Sequence, residues 1–283
     1  MLILVAVDGS DGSRAALRWA RSFAEPMDAT IRVVQAWEYP PMAALPGGPT
    51  LVPQAEAGNR VAAELSQFLR DELGHRAEEV DAVVEPGTPD LAVLRVAARL
   101  GADLIVVGKR GLGAVAGRFL GSVSRRIVEH ATCPVAVVPD TLVQHEGPVV
   151  IGVDESVNAG VALQWATKVA AAQRCSLVVV HAVSSAPPAS PLSLGEAMDR
   201  AGQAIADEQS RPAIDAGLDV RTVVKTIDPR PLITATADEF DARLVVAGSR
   251  GAGPIASLLM GSTATYLAER CERPLVLVPS SPR

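Results

Sequence analysis

The chain has 283 residues, a size for about two domains at roughly 150 residues each. Hydrophobic residues at 48% against 20% charged describe a compact folded protein and exclude a disordered one. A formal charge of -6 argues against general nucleic-acid binding, and aromatic residues at 3% leave few platforms for stacking a base or a flavin.

The opening "MLILVAV" follows no basic segment and ends at Asp8, so it reads as a strand and not as a targeting signal. No apolar run approaches the ~20 residues of a transmembrane helix, so no membrane partner is expected. Strands are predicted at 2–7, 30–37, 79–85, 103–107 and 135–138. Helical patterns lie between them at about 11–25, 55–73, 89–100 and 122–131. Helix punctuation agrees: Pro26 ends the first, Thr88 can N-cap the third with Pro89 at its first position, and Gly101 can close it. Near-continuous apolar strands such as "LIVVG" suit a parallel sheet covered on both faces. Five strands alternating with four helices make an open α/β sandwich.

The second half repeats the first. "LVAVDGSDGSRAALRWA" (4–20) aligns with "VIGVDESVNAGVALQWA" (150–166) at an offset of 146. "GKRGLGAVAGRFLGS" from 108 aligns with "GSRGAGPIASLLMGS" from 248 at an offset of 140. The difference falls in "YPPMAALPGGPTLVPQ" (39–54), an insertion that the second half shortens. Both halves close alike, with "CPVAVVP" (133–139) against "RPLVLVP" (273–279). The duplication divides the chain into a domain at 1–140, a linker at 141–147 and a domain at 148–283. Pro212 interrupts the long helical stretch 193–216 and predicts a break or kink there.

Asp8 and Asp154 each follow the first strand of their half, and Gly108 and Gly248 each follow the fourth. In doubly wound sheets the ligand crevice lies beyond the carboxyl ends of the strands, where the winding reverses. A strand order of 3-2-1-4-5 would bring both motifs to that crevice. The pattern G-x2-G-x9-G-S is met by Gly108, Gly111, Gly121 and Ser122, and again by Gly248, Gly251, Gly261 and Ser262. Glycine lets backbone approach a ligand, and the closing Gly-Ser opens a helix whose unpaired N–H groups attract an anion. Ser122 and Ser262 can add hydroxyl donors or act as N-caps. Two such loops, each paired with an aspartate, point to two phosphate sites. No Walker A run exists, since Lys109 is followed by Arg110. "GLGAVAG" follows the fourth strand and meets Ser257 in the second half, which speaks against a dinucleotide fingerprint.

The remaining candidates are blander. Cys133, Cys175 and Cys271 show neither CxxC nor His-linked spacing, so burial in a reducing cytoplasm is expected. His75, His130, His145 and His181 share no ligand-like spacing. Trp19 and Trp165 hold the same helical position in each half and are expected to pack against the sheet. The segment Leu104–Val128 carries Lys109, Arg110, Arg118, Arg125 and Arg126 and no acid, whereas Leu244–Ala268 has Arg250 alone. That imbalance predicts a first site that leans more on terminal phosphates than the second does.

At these residues the chain resembles a known family. "VAVDGS", "IGVDES", the two glycine loops, "LGSVSRRIVEHATCPVAVVP" and "MGSTATYLAERCERPLVLVP" are similar to the universal stress protein family in its tandem form, over nearly the whole chain. The resemblance implies two flavodoxin-like domains of the adenine nucleotide hydrolase-like type. Each would be a five-stranded parallel sheet of order 3-2-1-4-5 with helices on both faces. It also implies ATP as the ligand of each half, Mg2+ held through the phosphates, and a stress-responsive regulatory role.

Carried over residue by residue, Asp8 and Asp154 would lie near ribose or a phosphate-bound Mg2+. Ala6 and Gly152 belong to the same sites, with Ala36 and Trp37, or Ala182 and Val183, meeting the adenine. Gly108 would approach the ribose, and Gly111, Gly113, Gly121, Ser122 and Val123 the phosphates, with Lys109, Arg110, Leu112 and Arg118 in the same loop region. Gly248, then Gly251, Gly253, Gly261, Ser262 and Thr263, would repeat this in the second half, with Ser249, Arg250 and Ala252. The second half departs from the pattern where Gly87 becomes Ile227, Asp103 becomes Arg243 and Arg118 becomes Leu258.

Besides Asp8 and Asp154, the halves share no carboxylate, histidine or arginine finger that reads as a catalytic group, so binding without turnover is expected. The alternative is a slow ATPase or nucleotide-transferring enzyme using the same sites. The last strands (135–138 and 275–278) would each leave an unpaired edge, and the resemblance implies that they pair within the chain. A homodimer of the whole chain would be a further assembly, and the regulatory protein partner stays unnamed.

Overall fold

The computed structural model describes residues 1–38, 54–112, 119–141, 143–183, 192–251 and 260–280. The first half runs β1 (Leu2–Val7), α1 (Asp11–Ala24), β2 (Thr30–Trp37), α2 (Gln54–Leu73), β3 (Asp81–Pro86), α3 (Pro89–Leu100), β4 (Leu104–Gly108), α4 (Ser122–His130) and β5 (Val135–Val138). The second repeats it as β6 (Val149–Val153), α5 (Val157–Ala172), β7 (Leu177–Ala182), α6 (Leu192–Asp215), β8 (Val220–Lys225), α7 (Pro229–Glu239), β9 (Leu244–Gly248), α8 (Ser262–Arg270) and β10 (Leu275–Val278). Most of the insertion, residues 39–53, lies outside the described residues.

All ten strands form one sheet of order β3-β2-β1-β4-β5-β10-β9-β6-β7-β8. Each half therefore has the order 3-2-1-4-5, with parallel neighbours throughout. The halves meet through an antiparallel pair, with Val135 opposite Leu277, Ala136 opposite Val276 and Val137 opposite Leu275. The two short apolar edges thus satisfy each other, as the resemblance implied.

Strand residues of both parities are apolar because both faces are covered. Ile3, Val5, Val106 and Val138 face α1, α2, α5 and α6 in one core. Leu4, Ile105, Val107 and Val137 face α3, α4, α7 and α8 in the other. Each core runs unbroken across the seam between the halves.

The seam is also aromatic. Trp19 stacks on Phe23 with centroids 4.7 Å apart, and Phe23 faces Trp165 across the halves at 6.2 Å. The two tryptophans pack as expected, but Phe23 makes them a bridge as well.

The residues joining the halves are fastened to the second one. Arg243 donates to the carbonyls of Gly147 at 2.6 Å and Glu146 at 2.5 Å. His145 Nδ1 lies 2.7 Å from Asp241 Oδ1, which also receives Arg273 at 2.9 Å. The Arg273 hydrogen bond, helped by His145, holds the Asp241 carboxyl below the usual carboxylate range.

Helix α6 is continuous through Pro212, so of the expected break or kink the break does not occur. The proline lies in its last turns, where one missing N–H removes a single rung. Its own carbonyl still accepts from Ala216 N–H at 3.1 Å. Among the described residues no helix is long and apolar enough to cross a membrane.

Candidate functional site

Strand order decides what meets. β1 pairs with β2 on one side and β4 on the other, so the carboxyl ends of β1 and β4 are adjacent where the winding reverses. Asp8 leaves one end and the 108–112 loop leaves the other. Asp8 accepts backbone N–H groups from Ser10 at 3.0 Å and from Leu112 at 3.1 Å. A Cβ at Gly111 would stand 2.4 Å from Asp8 Oδ2, so a larger residue there would have to displace this carboxylate. The second half repeats the arrangement. A Cβ at Gly251 would stand 2.7 Å from Asp154 Oδ2. Asp154 Oδ1 accepts the Ser156 N–H at 3.0 Å and its hydroxyl at shorter range.

The loops return to the sheet in the same way. Lys109 N–H donates to Val138 at 2.7 Å and its carbonyl accepts from Gly121 at 2.9 Å. Ser249 N–H donates to Val278 at 2.8 Å and its carbonyl accepts from Gly261 at 2.8 Å. Gly121 and Gly261 are the N-caps of α4 and α8, and neither helix start has a side-chain cap. By contrast Ser10 caps α1, Ser156 caps α5 and Asp228 caps α7, while Thr88 stands at the N-cap of α3, as expected, without a side-chain hydrogen bond. Ser122 and Ser262 are therefore first helical residues, both exposed, and not N-caps. An uncapped helix start presents unpaired N–H groups and the positive end of the helix dipole.

The cations are placed differently from the charge count. Arg110 pairs with Asp140 at 2.5 Å, Arg125 with Glu269 at 2.9 Å and Arg126 with Asp90 at 3.4 Å. Lys109 Nζ donates to the Cys271 carbonyl at 3.1 Å, and burial lowers its pKa. The 104–128 segment itself has no acid, but acids from outside it pair with three of its arginines. Gly113, Arg118, Ala252 and Gly253 lie outside the described residues.

At the expected adenine end, Ala36 and Trp37 close β2, and the Trp37 carbonyl accepts from Gly87 at 2.9 Å. Ala182 ends β7, and Val183 N–H donates to the Lys225 carbonyl at 3.0 Å. Ala6 and Gly152 lie half-buried near the ends of β1 and β6. Val123 and Thr263 are half-buried in the first turns of α4 and α8. His181 is buried with Nδ1 at 3.3 Å from the Val153 carbonyl, which makes it a core residue.

Three residues near the loops escaped sequence reasoning. Gly12 sits where a Cβ would be 2.2 Å from the Arg110 carbonyl. Its counterpart Asn158 donates through Nδ2 to the Arg250 carbonyl at 3.3 Å. Gln209 on α6 donates to the Asp154 carbonyl at 2.9 Å. The repeat offset of 146 pairs Gly12 with Asn158, and the mismatch itself was the available signal.

No group of three metal-ligating side chains occurs among the described residues. Cys133 and Cys271 are buried and Cys175 half-buried, and none is in a disulfide. Burial pushes the Cys271 thiol up to about 11 and raises Cys175, which keeps both protonated at neutral pH.

A doubly wound sheet carrying paired glycine loops defines a tandem α/β protein of the flavodoxin-like class. The profile of the universal stress protein family matches residues 1–139 and 147–279, and the chain belongs to that family. A universal stress protein of Mycolicibacterium smegmatis is 30% identical over 285 residues, spanning 98% of this chain and 96% of the relative. One from Mycobacterium tuberculosis is 30% identical over 317 residues, spanning 99% and 96%. The crystal structure of a universal stress protein from Archaeoglobus fulgidus superposes with a TM-score of 0.67 at 21% identity, covering 99% of this chain and 98% of that one.

Proposed function

We propose that this is an ATP-binding regulatory protein of the stress response, with one ATP site in each of two domains, 1–140 and 148–283. The carrying observation is the pair of uncapped helix starts, Gly121–Ser122 and Gly261–Ser262, each facing a glycine loop that rests on an aspartate. In this reading the α- to γ-phosphates lie against the N–H groups of each loop and of α4 or α8. Ser122 and Ser262 add hydroxyl donors. Adenine lies toward Ala36 and Trp37 in one half and toward Ala182 and Val183 in the other.

Mg2+ fits only as a companion of the phosphates. A single carboxylate per site, Asp8 or Asp154, suits an ion that takes its other ligands from phosphate oxygens and water. The aspartates already accept backbone N–H bonds, yet a carboxylate has about four acceptor positions. Their first task is to hold the loop; contact with ribose or metal is the second.

Binding is favoured over turnover. His181, the histidine nearest a proposed adenine, is buried against a backbone carbonyl, and the described cations near the first loop are engaged by protein partners. ATP then acts by selecting a conformation or assembly. Mass spectrometry of the nucleotide released from purified protein tests this, followed by incubation with ATP and Mg2+ for hours. Bound ATP that persists supports the proposal. Steady ADP release would establish the slow ATPase, and no bound or bindable nucleotide would refute both.

A further inference from the structure

Helix α8 has one end at each proposed site. Its N-cap, Gly261, donates to the carbonyl of Ser249 in the second loop. Ten residues later, about 15 Å at 1.5 Å per residue, its C-cap is Cys271. The carbonyl of Cys271 accepts the Lys109 ammonium of the first loop at 3.1 Å. Lys109 is also the backbone node of that loop, joined to Val138 and, through its carbonyl, to the α4 N-cap Gly121. A second tie runs parallel. Arg125 in the first turn of α4 pairs with Glu269 in the last turn of α8 at 2.9 Å.

From this continuity we infer that the two sites are energetically coupled through α8, with Lys109 and Arg125 as the ties. The inference rests on the site reading above. An anion at the start of α8 and an ammonium on its last carbonyls favour the same helix dipole. A phosphate that fixes α8 therefore fixes the acceptors that hold the first loop and the first turn of α4. Lys109 is partly desolvated and needs this carbonyl, so it acts as a positioning residue, not as a ligand of the phosphate.

The wiring is one-sided although the repeat is not. Ser249 and Thr265 stand at the positions of Lys109 and Arg125. Ser249 is buried, and the Thr265 hydroxyl donates to the Gly261 carbonyl of its own helix at 3.0 Å. Both ties thus start in the first half and end on α8. The coupling of affinities is still reciprocal, as linkage demands, and should be about fivefold, the low end for coupled sites.

Amide hydrogen exchange read by mass spectrometry tests this on the full chain carrying Gly111→Glu, which closes the first site. ATP with Mg2+ should protect the first turn of α8 and also residues 122–126 of α4. Adding Lys109→Met should keep the α8 protection and abolish most of that in α4. Glu269→Ala removes one tie without touching either loop, and should weaken the α4 protection about twofold. It decides the matter if Lys109→Met unfolds the chain. Protection confined to α8, or α4 protection that survives both substitutions, overturns the coupling and leaves the second site standing. Protection at neither helix overturns the site reading and the coupling with it.

Discussion

In the first half, Gly12 lies bare against the Arg110 carbonyl and Asp140 holds the Arg110 guanidinium. In the second, Asn158 fills the place of Gly12 and donates to the Arg250 carbonyl, while Ser280 stands where Asp140 would. The backbones nonetheless close identically, from Lys109 or Ser249 to the end of the fifth strand and to the N-cap glycine. The glycine spacing therefore encodes a backbone path, and each half supports that path with different side chains. Differences in behaviour between the halves should follow the side chains and not the loops.

The largest effect is expected where the loops are alike. Gly111→Glu and Gly251→Glu each put a side chain within clashing distance of an aspartate and a negative charge where phosphate is proposed. Each should remove one of two ATP equivalents, read as calorimetric stoichiometry, while far-ultraviolet circular dichroism stays native. Two equivalents remaining after either change would place the ligand elsewhere.

Next in size is the seam, where the halves differ because Phe23 belongs to one of them. Phe23 is buried and touches both tryptophans, so Phe23→Ala should cost about 3–5 kcal/mol. Thermal unfolding is expected to show a lower midpoint with one transition, since both cores cross the seam. Two separate transitions would show that the halves are independent.

The aspartates come third. Asp8→Ala and Asp154→Ala should weaken ATP by about 1–3 kcal/mol, each at its own site, by freeing the loop. Asp154 should tolerate the change better, because Asn158 and Gln209 also brace the second site. Equal losses in titrations of the two single-site chains would dismiss the extra bracing.

Much of this was legible in sequence, for identifiable reasons. Strand positions and the division into halves follow from local apolar runs and an internal repeat, whereas the 3-2-1-4-5 order and the pairing of the last strands came from the family resemblance. Asp8 meets the loop at Gly111 and Leu112 because topology brings the ends of β1 and β4 together. What was not legible depends on long-range partners. Arg110 finds Asp140, Arg125 finds Glu269 and Lys109 finds a carbonyl 162 residues away. A charge count over one segment cannot see acids supplied by others. Whether Pro212 breaks its helix depends likewise on where that helix ends, which the hydrophobic pattern left open.

The smallest effect is a difference in phosphate preference between the two sites. Five cations against one would make the first site favour ATP over AMP more strongly. Four of the five already have protein partners, and a charge-assisted bond given to Asp140, Glu269, Asp90 or the Cys271 carbonyl is not given to phosphate. The ATP-to-AMP affinity ratios of the two isolated sites should therefore agree within about threefold, or roughly 0.7 kcal/mol. Raising salt should change both ratios alike, since exposed charges are screened and backbone N–H groups carry most of the recognition. Arg118 and its counterpart Leu258 are the remaining difference, and Arg118→Leu measures it directly. A first site that discriminates tenfold better, and loses that margin in Arg118→Leu, would show that this arginine reaches the phosphates and that the halves are specialised after all.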